Sequence, residues 1–141
     1  MYFDTSYIAK LYLNEPESDQ VNELVSGVDT IYSSVWAVAE FHAVLHRCVR
    51  ERRASPRHVH DLAARFRDDL ETGLWNFVPV GDALLRRTSA LILSGPGNLF
   101  LRAADAVHLT TAQELGERDI WTNDRHMLAA ADYFGLRGRS V

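Results

Sequence analysis

The sequence has little cysteine and no long apolar run. Cys48 is the only cysteine among 141 residues, which excludes a disulfide framework within one chain and favours a packing role for this residue. No apolar stretch approaches the roughly 20 residues that a membrane-spanning helix needs. The polar segment 4–6 stands where a signal peptide would have its apolar core. These absences favour a soluble, cytoplasmic protein without a membrane partner.

A basic excess, which most nucleic-acid-binding domains carry, is also missing. The formal net charge is −4 and the sequence pI is about 5.8. The charge is nevertheless uneven, because five arginines stand against the single acid Glu51 in one short stretch: Arg47, Arg50, Arg52, Arg53 and Arg57. Carboxylates that bind a metal also stop acting as free negative charge. The acidic balance therefore argues against a nucleic-acid ligand without excluding one.

The chain shows no repeats, low-complexity tracts or interdomain linker, so residues 1–141 are expected to form one domain. Short apolar segments alternate with helical patterns, which predicts an α/β fold whose mostly parallel sheet is flanked by helices on both faces. The predicted strands are 1–3, 30–34, 75–80 and 119–122, with a strand or tail at 133–141. The first predicted helix begins after Asp4, and the other predicted helices cover 16–27, 35–53, 57–71, 82–93, 101–115 and 123–131. Helices 35–53 and 57–71 are expected to form a projecting hairpin, and Pro79 places its strand toward an edge.

Two aspartates repeat one local pattern: an apolar strand, an Asp and then a helix. Asp4 follows Met1-Tyr2-Phe3, and Asp124 follows the strand at 119–122. If both strands are parallel members of one sheet, both carboxylates emerge at the edge where open α/β folds bind their ligands. The alternative is that each Asp only caps its own helix, the ordinary role of an isolated Asp at such a place.

Glu40 is harder to explain as a surface residue. Its helical neighbours three and four positions away are all apolar, and the first half of helix 35–53 is apolar nearly all round, which predicts a buried helix. An ionised carboxylate buried without a partner is costly, and a bound cation would remove that cost. The alternative is a buried Glu paired with an arginine such as Arg47 or Arg102.

Asp105 lies in the first turn of the predicted helix at 101–115, among small residues that let other groups approach it. By itself it could be a solvated Asp that the helix dipole favours. Together with Asp4, Glu40 and Asp124 it forms a set of four carboxylates that would repel one another strongly if they converged. One or two hard cations would hold such a set together. Because the ligands are oxygens and no cysteine takes part, Mg²⁺ or Mn²⁺ suits the set better than Zn²⁺.

Four segments in order resemble the PIN-domain family, and within it the VapC-type toxins of toxin-antitoxin pairs. They are MYFDTSYIAKLYLNEPES, WAVAEFHAVL, LRAADAVHLTTA and TNDRHML. DTS, DAVH and TND are weak signals individually, but the ordered set around an apolar helix bearing a Glu is specific. The resemblance covers essentially the whole chain and departs from the commoner pattern mainly at the SGPGNLF loop, 94–100.

The resemblance implies a PIN-like fold and a metal-dependent endoribonuclease. The family's acids correspond to Asp4, Glu40, Asp105 and Asp124, of which the three aspartates are the expected ligands of Mg²⁺ or Mn²⁺ and Glu40 is a ligand or a residue that orients water. Four polar residues next to the acids match positions that help order the metal's surroundings: Thr5, Ser6, Thr122 and Asn123. Arg47, Arg50 and Arg53 could track RNA phosphates, although a solvated helix end is an equally good interpretation.

The expected partners are an RNA substrate, a cognate antitoxin protein and a second copy of the chain in a homodimer. His108 and His126 invite a general-acid role, but histidines at such places more often support a site or lie at the surface. A non-toxin PIN nuclease and a PIN-like module that binds without cutting remain alternatives. A phosphatase of the haloacid-dehalogenase type also begins with an Asp at a strand end, but it needs a second Asp where this chain has Ser6.

Overall fold

Strands and helices alternate along the chain, and the computed structural model describes all residues 1–141. The strands are β1 (Tyr2–Phe3), β2 (Ile31–Ser34), β3 (Trp75–Val78), β4 (Asp119–Trp121) and β5 (Arg137–Arg139). The helices are α1 (Thr5–Tyr12), α2 (Ser18–Val25), α3 (Trp36–Arg50), α4 (Pro56–Glu71), α5 (Asp82–Ser94), α6 (Ala103–Glu114) and α7 (Arg125–Ala130), followed by a 3₁₀ helix (Ala131–Phe134). None of the helices combines the length and the apolar character that crossing a bilayer requires.

The five strands form one parallel sheet in the order β3-β2-β1-β4-β5. The predicted α/β fold with a parallel sheet is therefore confirmed. β3, which Pro79 follows directly, occupies one edge as predicted, and the C-terminal segment supplies the other edge strand. The short β1 lies at the centre, paired with β2 on one side and with β4 on the other.

The two residues of β1 point to opposite faces of the sheet, as the period of a strand requires. Phe3 belongs to a core cluster with side chains from α1, α3 and α4. Tyr2 belongs to a second cluster with side chains from α6, α7 and β4. Helices thus cover both faces, and each face has its own apolar core.

The predicted hairpin consists of α3 and α4, which pack together through Phe41 and Phe66, whose ring centroids are 4.5 Å apart. The prediction that the first half of α3 is buried all round is wrong. Val35 and Trp36 are 43% and 44% exposed. The helix buries only one stripe of side chains, namely Ala37, Phe41, Leu45 and Cys48. A single stripe suffices because α3 packs on neighbours along one side only, so its remaining apolar side chains are partly buried or exposed.

We expect the substitution Gly138→Ala to destabilise the fold, because β5 packs tightly against α7. A Cβ atom at this position would lie 3.0 Å from Cα and 3.1 Å from the carbonyl oxygen of Leu128. Overpacking of this kind costs about 1–3 kcal/mol. Gly97→Ala is the matched control, since no atom lies within 4 Å of the added carbon there. Denaturant unfolding of both variants checks the prediction, and equal stabilities would contradict it.

Candidate active site

Asp4 and Asp124 stand side by side at the carboxyl edge of the sheet. Phe3 pairs with Trp121 in parallel register, and the Asp4 N–H donates to the Trp121 carbonyl oxygen at 3.1 Å. Both aspartates also cap helices: Asp4 Oδ1 accepts the Tyr7 N–H at 3.1 Å, and Asp124 Oδ1 accepts the His126 N–H at 2.7 Å. Capping and a place in a common site are therefore compatible for both residues.

One cavity of about 260 Å³ gathers all four predicted carboxylates: Asp4, Glu40, Asp105 and Asp124. β1 and β4 position the two aspartates at the strand ends, whereas α3 and the first turn of α6 bring in Glu40 and Asp105. Thr5, Ser6 and His108 also line the cavity. The convergence predicted from the sequence is thus present in the fold.

Asp4 is a buried carboxylate held only by neutral donors. It is 5% exposed and accepts hydrogen bonds from the Ser6 hydroxyl at 2.6 Å, the Thr122 hydroxyl at 2.5 Å and the Tyr7 N–H. Burial raises its pKa above the usual value, and these hydrogen bonds only partly oppose the rise. No lysine or arginine forms an ion pair with it. A cation in the cavity would therefore find an acid that lacks a counter-charge.

The polar residues beside the acids divide into direct and indirect contacts. The Thr5 hydroxyl donates to Glu40, and the hydroxyls of Ser6 and Thr122 donate to Asp4. The Asn123 side chain points elsewhere and donates to Glu17 Oε2 at 2.6 Å. Only the backbone N–H of Asn123 contacts a residue beside the acids, donating to the Ser6 hydroxyl at 3.1 Å.

Glu40 pairs with a histidine and not with Arg47 or Arg102, the arginines that the sequence offered as partners. Its Oε2 lies 2.9 Å from His108 Nε2 and accepts the Thr5 hydroxyl hydrogen. Burial acts to raise the pKa of Glu40, but the hydrogen bond and charge of His108, together with Thr5, lower it below the usual value. Of the roles considered for His108 from the sequence, the structure favours support of the site, because the imidazole contacts Glu40 and is buried.

Arg102 bridges two of the acids, and the sequence analysis did not place it in this role. Its Nε lies 2.7 Å from Asp105 Oδ2, and its Nη2 contacts Asp124 Oδ2. Burial would raise the pKa of Asp124, but the N–H groups that it caps and the Arg102 guanidinium lower it below the usual value. Arg102 is therefore the counter-ion of these two acids, and its side chain is 53% exposed.

The oxygen ligands of the four acids are of the type that binds a hard divalent cation, but their side chains are not arranged around a common point. All four acids offer oxygen ligands, and Asp4 lacks a counter-charge. No three carboxylates, imidazoles or thiols lie close enough together to hold one ion. The Arg102 guanidinium lies between Asp105 and Asp124, and its exposed side chain can leave without disturbing the core. Binding of an ion would thus require Arg102 to give up these contacts.

The three arginines predicted to track RNA phosphates have different surroundings. Arg47 lines the cavity. Arg53 is engaged by Glu15 at 2.8 Å, and Arg50 lies 3.7 Å from Glu51. The structure therefore brings only Arg47 directly to the acids.

The Ser94–Phe100 loop ends beside the site. The Phe100 ring is 55% exposed, and its centroid lies 4.3 Å from that of His126. His126 thus stacks on an aromatic ring at the start of α7, and it does not line the cavity with the acids.

We expect Asp4→Asn to stabilise the protein in the absence of metal. The folded pKa of Asp4 is raised, so stability is lost as the pH rises from its unfolded pKa of about 3.9 through the folded value. An amide stays neutral, and it can donate to the Thr122 hydroxyl. The gain should be about 0.5–2 kcal/mol at pH 7 and shrink toward pH 4. Thermal unfolding in EDTA checks this, with Asp61→Asn on the exposed side of α4 as control; a loss of stability at pH 7 would contradict it.

Comparisons with known proteins agree with this geometry. The pattern of the PIN domain family matches residues 1–133. Ribonuclease VapC46 of Mycobacterium tuberculosis is 31% identical over 142 residues, which cover 96% of this chain and 93% of the relative. The crystal structure of Mycobacterium tuberculosis VapC20, described as a toxin that cleaves the sarcin-ricin loop, is similar with a TM-score of 0.71 at 18% identity, covering 92% of this chain and 93% of that one. The chain therefore belongs to the PIN domain family and is related over nearly its whole length to the VapC proteins.

Proposed function

We propose that this chain is a metal-dependent endoribonuclease that acts as the toxin of a toxin-antitoxin pair. The observation that carries the proposal is the convergence of four acids from four separate segments in one cavity at the carboxyl edge of the sheet. The relationship to a ribonuclease over nearly the whole chain supports the choice of RNA as substrate. A buried, unpaired Asp4 supports the requirement for a cation.

Asp4, Asp105 and Asp124 would hold Mg²⁺ or Mn²⁺ as oxygen ligands. A bound ion lowers the pKa of a water molecule and stabilises the charge that develops on the phosphate during hydrolysis. Glu40, held by Thr5 and His108, would orient the attacking water. Arg47 would attract the RNA phosphates toward the cavity.

Hydrolysis of this kind does not use the 2′-hydroxyl of the RNA. The expected products therefore carry 5′-phosphate and 3′-hydroxyl ends. Selectivity for RNA must come from contacts with its shape and loops.

A cognate antitoxin and a homodimer remain predictions from the resemblance. The second candidate function is a PIN-like module that binds RNA or a partner without cutting. The complete acid set favours the enzyme, since a module that only binds would gain nothing from a buried unpaired carboxylate.

Cleavage of 5′-labelled structured RNA tests the proposed function. We expect the purified chain, free of antitoxin, to cut with Mg²⁺ or Mn²⁺ and to stop cutting in EDTA. Asp4→Asn should reduce cleavage by about two orders of magnitude or more, the scale of losing a main source of charge stabilisation. It should leave RNA binding intact. Asp61→Asn makes the same chemical change outside the cavity and should cut normally; cutting that persists in EDTA or in Asp4→Asn would contradict the proposal.

Arg102→Ala should strengthen the binding of Mn²⁺ several-fold. The ion must displace two partly exposed ion pairs in the parent chain, each worth up to about 1 kcal/mol, and neither exists in the variant. Arg86→Ala is the control, because it removes an exposed arginine paired with Asp82 on α5. Isothermal titration of Mn²⁺ into the three proteins measures the effect. Affinity that is unchanged or weaker in Arg102→Ala would show that Arg102 does not compete with the ion.

A further inference from the structure

A chain of buried hydrogen bonds runs from the centre of the sheet to Glu40. The Tyr2 hydroxyl lies 2.9 Å from His108 Nδ1, and His108 Nε2 lies 2.9 Å from Glu40 Oε2. Tyr2 is fully buried and His108 is 2% exposed, whereas the Glu40 side chain is 29% exposed. The imidazole of His108 therefore connects Tyr2 of the central strand β1 to Glu40 of helix α3.

The carboxylate partner requires a hydrogen on one particular nitrogen of the imidazole. An ionised carboxylate can only accept, so the proton between His108 and Glu40 belongs to Nε2. In a ring that carries this one hydrogen, Nδ1 is an acceptor and the Tyr2 hydroxyl is its donor. Burial raises the pKa of Tyr2 far above its usual value, so the phenol retains the hydrogen that this contact needs.

The hydrogen bonds that His108 and Thr5 donate to Glu40 reach the same carboxylate oxygen. His108 Nε2 and the Thr5 hydroxyl both contact Oε2, which leaves Oε1 without either of these partners. A glutamate side chain that is not held in this way has considerable rotamer freedom, and a partly exposed one can turn toward the solvent. The two contacts therefore select one orientation of Glu40 at the cavity.

We propose that His108, supported by Tyr2, is a positioning residue that holds Glu40 with Oε1 available to a water molecule in the cavity. This inference rests on the proposed function. It assigns the histidine a role through another residue, since Glu40 lies between His108 and the reacting groups. Tyr2 belongs to the same strand as Phe3 and precedes Asp4 by two residues, so the central strand β1 supports both Asp4 and, through His108, Glu40.

The kinetic test compares three variants of the full chain in saturating Mg²⁺. His108→Leu removes both hydrogen bonds at similar volume, and we expect kcat for RNA cleavage to fall about 10- to 100-fold, as for other residues that orient a functional group, with little change in KM. His108→Gln retains a donor toward Glu40 and should recover most of the loss. Tyr2→Phe removes only the phenol hydroxyl and should cause a smaller decrease.

A histidine with a merely structural role would lower the thermal stability of the variants without changing kcat in the folded protein. Unchanged kcat in folded His108→Leu would therefore overturn the proposal, and so would equal impairment of His108→Gln and His108→Leu. If His108→Leu does not fold, the kcat values of His108→Gln and Tyr2→Phe still test the proposal. In that case the proposal requires near-normal kcat in the former and a reduced kcat in the latter.

A second measurement does not depend on catalysis. Long-range ¹H–¹⁵N correlation spectra of the parent chain distinguish the two neutral tautomers of an imidazole, and His108→Gln identifies the His108 signals. The proposal requires a hydrogen on Nε2, with signals that shift in Glu40→Gln. The other tautomer, or signals that Glu40→Gln leaves unchanged, would overturn it. If the parent chain cuts no RNA, the proposed function fails and this spectrum alone decides whether His108 holds Glu40.

Discussion

The parallel pairing of β1 with β4 is the constraint on which the site depends. The pairing brings Phe3 opposite Trp121, so Asp4, directly after Phe3, and Asp124, three residues after Trp121, leave the sheet at the same edge, where they cap α1 and α7. Both strands are very short, and their register is held by apolar side chains packed on both faces of the sheet. A shift of one residue would reverse the faces of Tyr2 and Phe3, exchanging the residue that supports His108 with one that fills the opposite core.

The site also concentrates more negative charge than its own cations balance. The single positive charge of Arg102 is shared between Asp105 and Asp124, and His108 supports Glu40, but Asp4 has only neutral donors in a buried position. We expect such an arrangement to reduce the stability of the metal-free fold and to favour the binding of a divalent cation. The same charges explain how a chain with a net charge of −4 is compatible with an RNA substrate, since a bound ion and Arg47 would reverse the potential where the phosphate must approach.

The sequence predicted the positions that the strands and helices give to the acids, because strand, helix and capping patterns are local in the sequence. The repeated strand, Asp and helix pattern placed Asp4 and Asp124 at one edge, and Pro79 placed its strand at the border of the sheet. The apolar neighbours of Glu40 correctly separated it from an ordinary surface residue, although α3 buries only one stripe. The actual partners of Arg102 and His108 and the outward turn of Asn123 could not be predicted, because they depend on side-chain contacts between segments that are distant in the sequence. No local pattern distinguishes an arginine that bridges two acids from one that lies in solvent.

The central claim is that Asp4, Asp105 and Asp124 form a divalent-cation site that Arg102 covers in the absence of the ion. Anomalous diffraction from crystals grown with Mn²⁺ tests it most directly. The account predicts a manganese peak within coordination distance of carboxylate oxygens of these aspartates, with the Arg102 guanidinium withdrawn from Asp105 and Asp124. A cavity without a peak at saturating Mn²⁺, in which Arg102 still bridges the two acids, would contradict it.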